Sequence, residues 1–186
     1  MTIHLTSKLI LLTSCLVSVS LCAQSRFRSD SGRVHFVSEA PLELIEAETN
    51  DFRLIVDTVD AAFAATIAVG SFQGFNSPLQ QEHFHENYME SETQPKATFV
   101  GKILTPFGSG TQPFTLQVKG KLKIHGVEQN RIIEVKCRWT ESGNLLAEAR
   151  FIVPLEDHDI EIPRIVYRKI AEEIQVSVSA ELSPFD

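Results

Sequence analysis

The sequence predicts an all-β fold, an antiparallel sandwich or an up-and-down barrel, and three observations carry that expectation. Short runs of period-two alternation recur along the chain, the spacers between them are rich in Gly, Pro, Ser and Asn, and no regular helical pattern alternates with them. Such a layout belongs to strands joined by hairpins rather than to parallel β-α-β units. The 186 residues, 43% hydrophobic and 22% charged, suit one domain with a sizeable core and exclude a disordered or collagen-like chain.

The first element stands outside that domain. Met1 to Ala23 carries one cation, Lys8, then the apolar run Leu9 to Leu12, a Thr13-Ser14-Cys15 interruption and a second apolar stretch through Leu21. This is the layout of a cleaved secretory signal, with Leu21 and Ala23 at the pocket-facing positions before the cut and the polar Gln24-Ser25-Arg26 behind it. The segment falls short of the about 20 apolar residues that a membrane-spanning helix needs. A lipoprotein box at Leu12-Thr13-Ser14-Cys15, with Cys15 lipidated, ranks second, because it leaves the apolar stretch 16–23 at the head of the mature chain. The expected organisation is therefore a signal over 1–23 and a single β domain over 24–186, located in the periplasm or secreted. Cys15 and Cys22 leave with the signal, so Cys137 stays as a lone thiol and no internal disulfide forms. The formal charge of −7 becomes one unit more negative when Lys8 is lost, which disfavours nucleic acid and membrane surfaces as partners.

After a polar entry, Gln24 to Gly32, the strand-like runs follow in order. Arg33 to Ser38 and Leu42 to Ala47 are separated by Pro41, and Phe52 to Asp57 precedes Phe63 to Phe72, in which Phe63, Ala65, Ile67 and Val69 share one face. Ala97 to Leu104, Phe114 to Ile124, Arg131 to Thr140 and Leu145 to Leu155 come next. In the closing run, Glu173 to Leu182, Ile174, Val176, Val178 and Ala180 point one way and the polar residues between them the other. The helix breakers Pro106, Gly108, Gly110 and Pro113 mark a long loop, while His125-Gly126 and Ser142-Gly143-Asn144 suit tight turns that require positive φ. Ser77 to Glu92 departs from alternation: Leu79, Phe84 and Tyr88 recur at helical spacing behind Ser77 as N-cap and Pro78 at the first helical position. Arg164 to Lys169, after Pro163, predicts a further helical turn.

Catalytic chemistry finds little support in the residues. On a strand, His83 and His85 would face one side and could grip a metal with Glu90 as third ligand, which makes a metal-dependent enzyme one alternative. On a helix, residues two apart diverge by about 200° and cannot share an ion. There is no Gly-x-Ser-x-Gly nucleophile elbow, and Phe107-Gly108-Ser109-Gly110 does not lead from a strand into a helix as a phosphate cradle does. Cys137 sits between Lys136 and Arg138, but alternation puts those cations on the opposite face and leaves the thiol a buried spectator. Glu156-Asp157-His158-Asp159 lacks the donor spacing of a calcium loop and is expected to be a turn. No catalytic residue, metal or cofactor is expected.

Several blocks together resemble a known family. Phe75 to Phe99 contains Glu82-His83-Phe84, Tyr88, Pro95, Ala97 and Phe99. Val118 to Val127 holds Gly120-Lys121-Leu122-Lys123-Ile124-His125-Gly126-Val127, and Leu155, Asp157, Ile160, Ile162 and Pro163 precede Ile170-Ala171, Ile174, Val176 and Val178. The combination is similar to the YceI-like family of bacterial lipocalin-like proteins, over about Val34 to Leu182. The resemblance implies an extended eight-stranded antiparallel barrel with a helix beside it, a pore that holds a polyisoprenoid chain, and no catalytic residue. The candidate ligand-lining side chains are the aromatics nearest the helix and at inward strand positions: Phe72, Phe75, Phe84, Tyr88, Phe99 and Phe114. His125 is expected to stabilise its turn. The leading expectation is a carrier of an isoprenoid or other long-chain lipid without stable membrane insertion. Beside the metal enzyme stands a structural domain with a filled core, recruited through a sheet edge and able to pair as a homodimer.

Overall fold

The computed structural model describes residues 25–185; the 1–23 signal, its cut after Ala23 and the Cys15 alternative lie outside them. Eight strands form, β1 (Arg26–Glu39), β2 (Leu44–Asp57), β3 (Ala62–Ala68), β4 (Lys96–Ile103), β5 (Phe114–Ile124), β6 (Val127–Trp139), β7 (Leu145–Pro154) and β8 (Glu173–Pro184). Each pairs antiparallel with the next, and β8 returns to β1 through pairs such as Val34↔Val178 and Phe36↔Val176, so the sheet closes into a barrel. Closure removes the free sheet edge that an edge-paired partner would require.

Two expectations about strand boundaries are corrected. The runs Leu42 to Ala47 and Phe52 to Asp57 merge into one strand, β2, which begins only at Leu44, and the polar entry 26–32 is the first half of β1. In both places two consecutive residues face solvent, Asp30 with Ser31 and Asn50 with Asp51, and the β1–β2 register shifts between Ser29 and Val34. A bulge breaks period-two alternation while the backbone stays extended, so the sequence pattern reads as a gap where the chain has none. The third strand is shorter than its run, because Val69–Ser71 tightens into a single 3-10 turn.

The turns and the helix follow the sequence. Ser77 caps α1 (Pro78–His83), its hydroxyl accepting from the Gln80 amide at 3.2 Å, and the chain continues into a π-helical turn over Phe84–Tyr88. His125, Gly126 and Gly143 take φ of 49°, 79° and 84°. Glu156–His158 and Arg164–Val166 are short 3-10 turns.

Alternation sorts the barrel wall. Leu116, Val118 and Leu122 of β5 are buried while Thr115, Gln117, Lys119 and Lys121 are exposed, and Glu134, Lys136 and Glu148 extend the charged exterior. This polarity is the reverse of a membrane-spanning barrel, whose outer face is apolar. Leu145 and Leu182 are paired across β7 and β8 and at most 2% exposed, each contributing about 1.5–3 kcal/mol of burial. Because neighbouring strands run in opposite senses, the 40–43 turn, the α1-bearing segment 69–95, the 125–126 turn and the segment 155–172 all gather at one end. The turns 58–61, 104–113 and 140–144 lie at the other.

Candidate functional site

The barrel interior is open: a cavity of about 560 Å³ runs between two aromatic clusters. The core-filled alternative therefore does not describe this chain. Inward residues of every strand form the wall, including the two sets singled out by alternation, Phe63, Ala65 and Ile67 on β3 and Ile174, Val176 and Val178 on β8. At the end away from α1, Trp139 gathers Phe27, Phe107 and Phe114 at centroid distances of 5.1, 6.2 and 6.4 Å. Its indole N–H donates to the Gly108 carbonyl at 2.8 Å, which ties the 104–113 loop across that opening.

At the other end Phe84, delivered by the π-helical turn, is the hub. It stacks on Phe36 of β1 at 5.4 Å and 20°, and meets Phe75 and Phe72 at 5.0 and 5.7 Å. Tyr88 also faces the cavity, and burial pushes its phenol above the ordinary value. The few polar groups of the wall concentrate here. Gln80 of α1 donates to Glu43 at 3.0 Å, and Lys169 lies 3.9 Å from the same carboxylate, so three distant segments converge on one mouth.

Five of the six expected lining residues, Phe72, Phe75, Phe84, Tyr88 and Phe99, stand on this wall. Phe114 does not: as the first residue of β5 it is past the cavity, with its ring against Trp139 and Gly108. Sequence reasoning missed Phe36, although its alternation with Val34 and Ser38 marked it as inward, and missed the Glu43, Gln80 and Lys169 cluster, which no local pattern reveals.

His83 and His85 occupy different surroundings. His83 ends α1 at the cavity mouth, whereas the His85 ring packs edge-on to Phe84 at 5.2 Å, and desolvation lowers its pKa. Among the described residues no three His, Cys, Asp or Glu side chains converge on a point. His125 Nδ1 lies 3.2 Å from the His158 carbonyl, so it joins the β5–β6 turn to the 155–172 segment. Cys137 is on the cavity wall, and burial pushes its thiol up to about 12.

The YceI-like domain model matches residues 23–182. The chain belongs to the YceI-like family. Solved structures share this barrel. A polyisoprenoid-binding domain from Saccharophagus degradans, 12% identical, aligns with a TM-score of 0.72 over 87% of this chain and 99% of its own. BcnA of Burkholderia cenocepacia, 19% identical, gives 0.67 over 82% and 96%. The YceI protein of Campylobacter jejuni, 14% identical, gives 0.58 over 75% and 84%. At these identities the likeness concerns the YceI-like fold. No curated protein matches the chain in sequence.

Proposed function

We propose that this YceI-like chain is an exported binding protein, periplasmic or secreted, that holds a long apolar chain of the polyisoprenoid type inside its barrel and catalyses no reaction. The carrying observation is the cavity: about 560 Å³, walled almost wholly by aliphatic and aromatic side chains, with polar groups only near one mouth. That volume falls within the roughly 300–1,000 Å³ of small-molecule sites. Transfer of apolar area out of water contributes about 25 cal/mol per Å², so a hydrocarbon threaded along this wall is retained with few directional contacts. The Saccharophagus degradans structure, a polyisoprenoid-binding domain of the same fold, supports the ligand class, and the charged start and apolar middle of residues 1–23 support export.

Solvent extraction of the purified protein followed by mass spectrometry tests the binding reading. The expected result is a near-stoichiometric prenyl lipid. An extract without lipid, from protein that also fails to bind added polyprenol, would overturn it. Fractionation of the native host, with the protein in the periplasm or medium and its N-terminus at residue 24, tests export.

A further inference from the structure

Building on the reading of the barrel as the holder of a long apolar chain, we propose that Glu43 and Lys169, at the rim of the α1-side mouth, select a chain whose polar end is a hydroxyl and reject the same chain ending in a phosphate. Among the described residues, every polar side chain on the cavity wall except the Cys137 thiol lies at this mouth. Each belongs to the 40–43 turn or the segments 69–95 and 155–172, or stands within three residues of them on β1 and β4. A polar group carried toward the Trp139 end would meet aliphatic and aromatic side chains and one thiol, a weak partner, and its lost hydration would go unreplaced. The polar end of the ligand therefore belongs at the α1-side rim.

Much of the hydrogen-bonding capacity at the rim is committed within the protein. The Ser38 hydroxyl accepts from the Ala171 amide at 2.8 Å and the Ser77 hydroxyl from the Gln80 amide at 3.2 Å. The Gln80 side-chain oxygen accepts from the Asn76 amide at 3.0 Å, and its nitrogen donates to Glu43 Oε1 at 3.0 Å. Glu43 Oε2 and Lys169 Nζ differ: they stand 3.9 Å apart, close enough for attraction and too far for a hydrogen bond. The gap sets an acceptor beside a donor. A hydroxyl combines both roles in one atom, and an oxygen about 2.8 Å from each group fits between them, donating to Oε2 and accepting from Nζ. An ether or a ketone oxygen only accepts, and leaves the carboxylate unanswered.

Charge works against the phosphorylated chain. A phosphate monoester carries about −1.5 to −2 at neutral pH. Lys169 offers it one ammonium, but Glu43 stands beside that ammonium, and the framing segments 40–43, 69–95 and 155–172 hold ten acidic side chains against three basic ones. A ring of net negative charge around the polar pair repels an anionic end and leaves an uncharged one unaffected. The Glu43 and Lys169 side chains are 30% and 55% exposed, so water and salt weaken both effects and set the discrimination on the order of tenfold.

Competition against a fluorescent polyprenol tests the proposal on the purified full chain, with one prenyl chain length supplied as the free alcohol, its methyl ether and its monophosphate. At neutral pH and physiological salt the alcohol is expected to compete about tenfold more tightly than either the ether or the monophosphate. Glu43→Lys is expected to invert the preference between alcohol and monophosphate, and Glu43→Gln to reduce it to about threefold or less. Each preference is read within one variant, so a general loss of affinity or stability cancels. A monophosphate that binds the wild type as tightly as the alcohol, or a preference that neither Glu43 variant changes, overturns the proposal and leaves the barrel a lipid holder. An ether that matches the alcohol overturns the assignment of the hydroxyl. If the fluorescent polyprenol itself does not bind, the reading of the cavity falls and this proposal with it.

Discussion

Phe84 stacks on Phe36 across the α1-side opening, with ring centroids 5.4 Å apart and planes inclined by 20°. One ring comes from β1 and the other from the π-helical turn, so a strand and a non-barrel segment share a hydrophobic seam at the point where the cavity meets the rim. The Phe84→Ala variant removes the centre of a four-ring cluster. It is expected to lose about 2–3 kcal/mol in urea unfolding, below the about 3–5 kcal/mol of a fully buried Phe→Ala change because Phe84 is only half-buried. Bound lipid is expected to exchange faster, as read by competition with a fluorescent polyprenol. Phe114→Ala serves as the contrast: it loosens the Trp139 end and lowers stability while leaving lipid content unchanged.

Filling the cavity is expected to separate binding from folding. Ala149 lies on the wall in β7 between Val135 and Val178, and its enlargement to phenylalanine places a ring in open space. Overpacking a filled core costs about 1–3 kcal/mol, and here the cost is expected at the low end of that range. Mass spectrometry of the Ala149→Phe extract should show lipid reduced at least fivefold, with an unchanged far-UV circular dichroism spectrum. Full lipid content would place the ligand away from this stretch of wall.

Acid is expected to weaken the fold before the carboxylates titrate. His158 is 0% exposed, its Nδ1 lies 3.2 Å from the Val127 carbonyl, and burial, the largest cause, lowers its pKa from 6.5, with Arg131 acting in the same direction. A depressed histidine pKa means that the unfolded chain takes up the proton first. Its stabilising contribution is therefore complete above the unfolded value of 6.5 and is lost as pH falls through the folded value. His85, lowered by desolvation, adds to the same slope. Thermal midpoints should hold from pH 8 to about pH 7 and then fall toward pH 5, and the His158→Gln variant should show a shallower fall from a lower starting point.

The Cys137 thiol is expected to be silent in the native state. With its pKa pushed up to about 12 and its side chain 3% exposed, it offers almost no thiolate at pH 8. Ellman's reagent should react with it only on unfolding. Rapid labelling of native protein would mean that solvent reaches the Trp139-side end of the cavity.

The backbone of this fold is legible from alternation because burial on one face is a local property, repeated every second residue, as in Ile174, Val176 and Val178. The bulges at 30–31 and 50–51 were illegible for the same reason: two neighbouring residues turn outward while the strand continues. The open interior could not be read from the residues at all. It depends on the radius of a closed eight-stranded sheet against the summed volume of its inward side chains, and a filled sandwich asks for the same Phe63, Phe99 and Leu116. Glu43, Gln80 and Lys169 are separated by long stretches of sequence and meet only because the strands bring their connections to one end. Phe114 looked inward by register, and only its place at the very start of β5 takes it off the wall.

The pairing of Phe27 with Pro184, together with the Phe185 amide donating to the Arg26 carbonyl at 3.0 Å, places both ends of the described chain side by side at the Trp139-sealed end. Anything grafted there, whether an affinity handle, a fluorophore or a chip linkage, projects from the pole opposite the rim. A sensor immobilised through either terminus would thus present its opening to the analyte stream.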